Sequence, residues 1–148
     1  MKTQNLSLIF LLLLITLITF NQNAQTVGKL YSKSDANNLY GQVITSVSIN
    51  SSDLQTMLLQ TSNYIMFSII NGNLVILDNI RKPLSPVNMT VTNEEVFHVF
   101  SVSMVQELLT KGSNAVTFVE NRQNVLTITN SDTTLEESQF CPPFCVPR

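Results

Sequence analysis

Side chains from residue 43 to residue 50 alternate in character. Val43, Thr45, Val47 and Ile49 fall on one side and Ile44, Ser46, Ser48 and Asn50 on the other, the period of a half-buried strand whose odd positions face the core. The period then lengthens. Leu54, Met57, Leu58 and Thr61 share one helical face behind Ser52 and Gln55, which stand at capping-box spacing, and Ser62-Asn63 closes the helix. Two apolar runs, residues 64 to 70 and 74 to 79, flank Asn71-Gly72. Asn-Gly accepts the positive φ that a type I′ turn needs at both central positions, so these runs predict a hairpin.

The same succession returns fifty-one positions later without a gap. Ser103 and Gln106 stand where Ser52 and Gln55 stood, and Val105, Leu108 and Leu109 replace Leu54, Met57 and Leu58. Ser113-Asn114 matches Ser62-Asn63, Val116 and Phe118 match Ile65 and Phe67, Val125 and Ile128 match Leu74 and Leu77, and Asn130 matches Asn79. Apolar stripes coincide easily; caps and stops at a constant offset do not, so the chain reads as one β-α-β-β unit used twice. Only the turn differs. Arg122-Gln123 replaces Asn71-Gly72, which predicts a looser connection over residues 121 to 124.

Around these units, residues 25 to 30 read as a flexible lead-in. Ser34 is placed as the cap of a short helix over residues 35 to 40, anchored by Leu39 and Tyr40 and ended by Gly41. Repeat one is assigned to residues 42–80 and repeat two to 87–130. Lys82-Pro83 and Ser85-Pro86 make residues 81–86 the linker, because proline is excluded from a central strand. Val87, Met89 and Val91 alternate as an edge strand before a turn at Asn93-Glu94, residues 96 to 101 form a strand apolar on both faces, and 131–148 is a C-terminal tail.

One β-α-β-β unit, or β-α-β-β-β if the Val87 strand belongs to the first copy, cannot bury both its helix and its sheet face. Two can. The expected fold is therefore α+β: two gapless repeats forming a two-layer domain, mostly antiparallel sheet with short helices on one face. In element order alone this resembles the doubled β-α-β-β-β repeat of a sliding-clamp domain. That resemblance implies helices that grip DNA, whereas Asp53, Gln55, Gln60, Gln106 and Glu107 give these helices no basic face, and no nucleic-acid partner is expected.

Composition adds a compartment. Lys2 precedes an apolar run from Leu6 to Phe20, broken only by Ser7, Thr16 and Thr19, and Ala24 follows in a polar stretch. This reads as a signal peptide over residues 1–24, too short for a comfortable membrane span, with the single domain over 25–148. Gln22 is larger than the residue usually found before such a cut, so a membrane-tethered, uncleaved form stays open beside the secreted or periplasmic one; after cleavage no stable membrane span is expected. The remaining chain carries seven basic and ten acidic residues, without a basic stripe for nucleic acid or anionic lipid.

Chemistry-bearing residues are few. Cys141 and Cys145 enclose Pro142, Pro143 and Phe144; in an oxidising compartment a disulfide closing this small loop is the first reading, with an intermolecular link and a redox or metal role as alternatives. Two thiolates fall short of a four-ligand zinc site, so no metal is expected. His98, the single histidine, aligns with Val47 on the core-facing side, which favours a packed imidazole over a general base. Glu94-Glu95 and Glu136-Glu137 are placed in loops as solvated charge. No catalytic or cofactor motif stands out, and none is expected. Asn50-Ser51-Ser52 and Asn88-Met89-Thr90 fit the glycosylation sequon.

One asymmetry separates the copies: Phe97 and Val99 align with Ser46 and Ser48. That face needs cover, either from within the chain or from another protein, which makes Phe97 and Val99 the candidate interaction face. The functional expectation is a secreted or periplasmic, non-enzymatic binding or assembly module whose partner is another protein. The alternative is a small thiol redox or metal-binding protein using Cys141 and Cys145, and a hydrolase built on His98 stands third.

Overall fold

The computed structural model describes residues 25–85, 91, 92, 94–123 and 125–141. The sequence expectations for the signal peptide, the Val87 and Met89 strand, Asn88 and Cys145 lie outside them.

The described residues form two antiparallel sheets and three short helices, a two-layer α+β domain. In order the elements are β1 (Lys29–Ser32), α1 (Lys33–Tyr40), β2 (Thr45–Asn50), α2 (Ser51–Leu58), β3 (Tyr64–Ile70), β4 (Asn73–Asp78), β5 (Phe97–Ser101), α3 (Val102–Gly112), β6 (Val116–Asn121), β7 (Leu126–Asn130), β8 (Thr133–Glu136) and β9 (Gln139–Cys141). Sheet A runs β1-β8-β7-β6-β2 and sheet B runs β4-β3-β5-β9. The two β-α-β-β units exchange their first strands: β2 pairs with β6, Val47 opposite Val119, while β5 pairs with β3, Val99 opposite Met66. Both sheets are thus built from both units.

Helices α2 and α3 are the crossovers that make this exchange possible. Each follows its strand without a loop, α2 beginning at Ser51 and α3 at Val102. Leu54 and Leu58 from α2 and Val105 and Leu108 from α3 point into one cluster, with Ile65, Phe67, Ile76 and Phe100 of sheet B and Val119, Leu126, Ile128 and Leu135 of sheet A. The apolar stripes read from sequence are the buried ones. The caps are not. Asn50 and Ser101, not Ser52 and Ser103, are the N-caps, and neither makes a side-chain capping bond. Ser101 Oγ instead accepts from the Val27 backbone at 2.7 Å. Likewise Ser32, not Ser34, caps α1, accepting from the Asp35 backbone at 3.1 Å.

The hairpin is as the Asn-Gly pair requires, with φ of 51° at Asn71 and 78° at Gly72. Three segments read as irregular prove ordered. Lys29–Ser32, which begins in the expected lead-in, pairs with β8. The expected tail supplies β8 and β9, and β9 pairs with β5. The expected linker lies along the edge of sheet B: Leu84 N donates to Ile76 O and Asp78 N to Lys82 O, both at 2.9 Å. Proline is compatible with this because the position is an edge. Phe118, the repeat match of fully buried Phe67, is 38% exposed opposite Ser48. Sheet B is buried on both faces, sheet A has an apolar face and a polar one, and Phe118 falls on the polar one.

Asn130 joins the second unit to the start of the first unit's helix. Its Oδ1 accepts from Asn114 N at 2.9 Å, and its Nδ2 lies 3.0 Å from Ser51 Oγ and 2.9 Å from Thr117 Oγ1. Gly112 must lack a side chain for this, since a Cβ there would stand 2.1 Å from Asn130 Oδ1. Gly112→Ala is expected to destabilise the domain by about 1–3 kcal/mol in urea unfolding. Adding Asn130→Ala should cost less than the sum of the single changes, because the side-chain part of the clash is removed while the Asn130 carbonyl oxygen, 2.6 Å from such a Cβ, remains; strict additivity would show that the side-chain contact contributes nothing to the cost.

Candidate functional site

The outer face of sheet A brings together charge that the sequence scatters. Antiparallel register sets Glu120 opposite Thr127 and Thr129 opposite Thr134, and the same alternation adds Glu136 on β8 and Tyr31 on β1. Arg122, just past β6, turns back over this face. Glu120, Arg122, Thr127, Thr129, Thr134 and Glu136 are all buried, each at most 5% exposed. Helix α1 contacts β1 and β8.

Arg122 is the hub. Its Nη1 donates to Asn37 Oδ1 at 2.7 Å and to the Gly41 carbonyl, the far end of α1, while its Nη2 donates to Glu120 Oε2 at 3.1 Å. Glu120 Oε2 also accepts from Thr129 Oγ1 at 2.8 Å and Thr127 Oγ1 at 3.2 Å. Glu136 is treated differently. Its Oε1 lies 3.7 Å from Arg122 Nε, and neither of its carboxyl oxygens has a hydrogen-bond partner. Burial without hydrogen bonds disfavours the charged form. The Glu136 carboxyl is accordingly pushed up to about 8, desolvation outweighing the Arg122 charge that opposes it.

This corrects the reading of Glu136-Glu137 as solvated loop charge. Glu137 is exposed and accepts from the Tyr31 hydroxyl, whereas Glu136 ends β8 with no exposed surface. The Arg122 turn contains the hub of the cluster. Alternation of Glu120 with Val119, and of Thr127 and Thr129 with Ile128, was the available signal, but it does not show that α1 covers the polar side.

His98 lies on β5, half-buried, with Nδ1 2.7 Å from Ser138 Oγ and its ring 4.9 Å from that of Phe140. Burial lowers it to about 4. Phe97 and Val99 point the other way and are fully buried, in a second cluster with Val27, Tyr64, Met66, Val75, Leu77 and Cys141. The Arg81 guanidinium stacks 5.0 Å from the Phe97 ring centre and donates to Cys141 Sγ at 3.1 Å and to the Thr92 carbonyl at 2.9 Å. No cysteine among the described residues is free. The described residues bring no three His, Cys, Asp or Glu side chains together as a metal site, and none of their helices is long and apolar enough to cross a membrane.

At the C-terminal end of α1 the surface changes character. Leu39 is 63% and Ile44 64% exposed, Val43 is exposed between them, and a hollow of about 400 Å³ is lined by Asn38, Leu39, Tyr40, Gly41, Gln123 and Val125. Comparison with protein-family models, curated proteins and solved structures finds no match to the chain.

The two shifted groups act on stability in opposite directions. Glu136 titrates higher folded than its unfolded 4.5, so the folded state holds the extra proton and loses stability as pH rises to about 8. His98 titrates lower than its unfolded 6.5, so the unfolded state takes the extra proton and stability falls as pH drops towards 4. Between about 4.5 and 6.5 these slopes oppose one another. The wild type should therefore weaken mainly from pH 6.5 to 8, His98→Gln should begin weakening near 4.5, and Glu136→Gln should show only the acid loss. Urea midpoints across pH 4–9 would measure this, and identical profiles for all three proteins would refute it.

Proposed function

We propose that the chain is a secreted or periplasmic, non-enzymatic module that binds another protein and helps assemble it, with residues 39 to 44 as the contact surface. The observation carrying this reading is the exposure of Leu39, which lines a hollow, and of Ile44 five residues on, in a segment pinned by Arg122 at Gly41. Apolar side chains held open in a fixed arrangement lose water on association at little ordering cost. The groups able to do chemistry are directed inward: His98 is hydrogen-bonded to Ser138, and Glu120 and Arg122 are closed off from solvent.

Cys141 supports a structural role over the thiol redox alternative. Its sulfur is fully buried and accepts from Arg81, which leaves it poorly placed for exchange with a dissolved thiol. A Cys141–Cys145 bridge closing the carboxyl-terminal loop belongs to this proposal. Intact-protein mass should rise by two hydrogens on reduction, with alkylation of the untreated native protein failing at both cysteines. Rapid alkylation of the native protein would favour the redox reading.

Photo-crosslinking in the producing cells tests the contact surface. A photoreactive residue at position 39 or 44 should give one discrete adduct that a residue at 59, an exposed leucine on α2's trailing end, does not. Ile44→Asp should abolish the adduct formed from position 39. Equal adducts at all three positions, or none, would remove the reading.

A further inference from the structure

We propose that the Glu120, Arg122 and Glu136 cluster is a proton-operated latch, which holds α1 on sheet A while Glu136 is protonated and releases it when that proton is lost. This inference is independent of the binding role above.

Within the sealed cluster one guanidinium faces two carboxyl groups. Glu120 takes the direct bond from Arg122 and those from two threonines, leaving Glu136 with an approach of 3.7 Å and no hydrogen bond. Protonated Glu136 balances the cluster. Loss of the proton places a second negative charge in a dry site, at a cost a protein relieves by moving a cation or admitting water. Either movement acts on α1. Arg122 Nε, bonded to Thr127 Oγ1 at 3.3 Å, already stands 3.7 Å from Glu136 Oε1; closing that gap moves the rigid guanidinium and with it the Nη1 bonds to the two α1 acceptors, Asn37 Oδ1 and the Gly41 carbonyl, while water can enter by lifting the helix.

The surrounding charges do not offset this. From β1, Tyr31 donates to Glu137, and Lys29, opposite Glu136 in register, sits 3.8 Å from Glu137 instead. From β6 comes Glu120, a second acid. From α1 comes the Tyr40 hydroxyl, which is bonded to Tyr31, while Asp35 is exposed and bonded to Ser32. From β7 come only the Thr127 and Thr129 hydroxyls, both bonded to Glu120; Thr127 also favours the charged form of Glu136, but less than burial opposes it. The other contacts of α1 are few: Ala36 is its one fully buried side chain, the Tyr40 ring packs edge-on against Tyr31, and Lys33 N donates to the Asp132 carbonyl at 2.8 Å.

Linkage makes the device reciprocal: what the proton does for α1 docking, docking does for proton affinity. The test is carbon NMR of the Glu136 carboxyl together with amide exchange of residues 35 to 40, corrected for intrinsic rates. Glu136 should titrate near 8, and α1 protection should fall at least tenfold between pH 6 and 9.5 in the wild type but stay level in Glu136→Gln. Asn37→Ala, which removes α1's side-chain acceptor without touching the acids, should loosen α1 at pH 6 and lower the Glu136 midpoint. An ordinary carboxyl midpoint in the wild type, an equal loss of protection in Glu136→Gln, or an unmoved midpoint in Asn37→Ala would each overturn the latch. Should Glu136→Gln fail to fold, the wild-type and Asn37→Ala titrations still decide.

Discussion

The structure depends on the direct passage from strand to helix at Asn50-Ser51 and Ser101-Val102. With no loop at either junction, each helix must leave the sheet holding its strand and deliver the chain to the other sheet. β2 therefore lies in sheet A while β3 and β4 lie in sheet B, and β5 lies in B while β6 and β7 lie in A. The apolar stripes of α2 and α3 have no place except among the inward side chains of both sheets. Neither unit closes a core alone, so folding of one requires the other.

The same exchange gives like positions unlike surroundings. β2 is the outermost strand of sheet A, whereas β5 sits between β3 and β9. Ser46 and Ser48 consequently meet water, while Phe97 and Val99 meet Val27, Met66 and Cys141. The apolar departure of the second unit answers a central position with two covered faces. Arg81 completes that cover, its guanidinium both over the Phe97 ring and bonded to the Thr92 and Glu95 carbonyls, so one charged side chain closes an apolar surface while keeping polar partners.

On sheet A the opposite arrangement prevails. Its outer face is polar, and α1 covers the part formed by β1 and β8. A sheet face lined with threonine and glutamate is ordinarily left to solvent; covered, it must satisfy its polar atoms internally. Arg122 does so for Glu120 and for the end of α1, and leaves Glu136 short. A covered carboxyl without hydrogen bonds is a destabilising feature that only its proton makes tolerable. The attachment of α1 and the charge of Glu136 are thereby one equilibrium, while the apolar core between the sheets is insensitive to it.

Much of the fold was legible along the chain. The periods of strand and helix, the Asn71-Gly72 turn and the fifty-one-residue offset are local properties, set by backbone stereochemistry and by which side of an element is apolar, and the elements follow them. At α3 the capping residue Ser101 commits its hydroxyl to the distant Val27 backbone, a competition that local spacing does not contain. β1, β8 and β9 were missed for a related reason: strands of three or four residues carry almost no periodicity and exist only because a neighbouring edge is there to pair with. The candidate site lay furthest from view. Glu120, Arg122 and Glu136 look like ordinary surface charge in sequence, and only pairing of β6, β7 and β8 places them on one face. Arg122 turned back over that face and α1, packed on β1 and β8, close it from solvent. Sequence by itself determined where the chain is apolar and how each segment turns; tertiary structure decided which polar side chains would be buried, because burial is a property of what is packed on top.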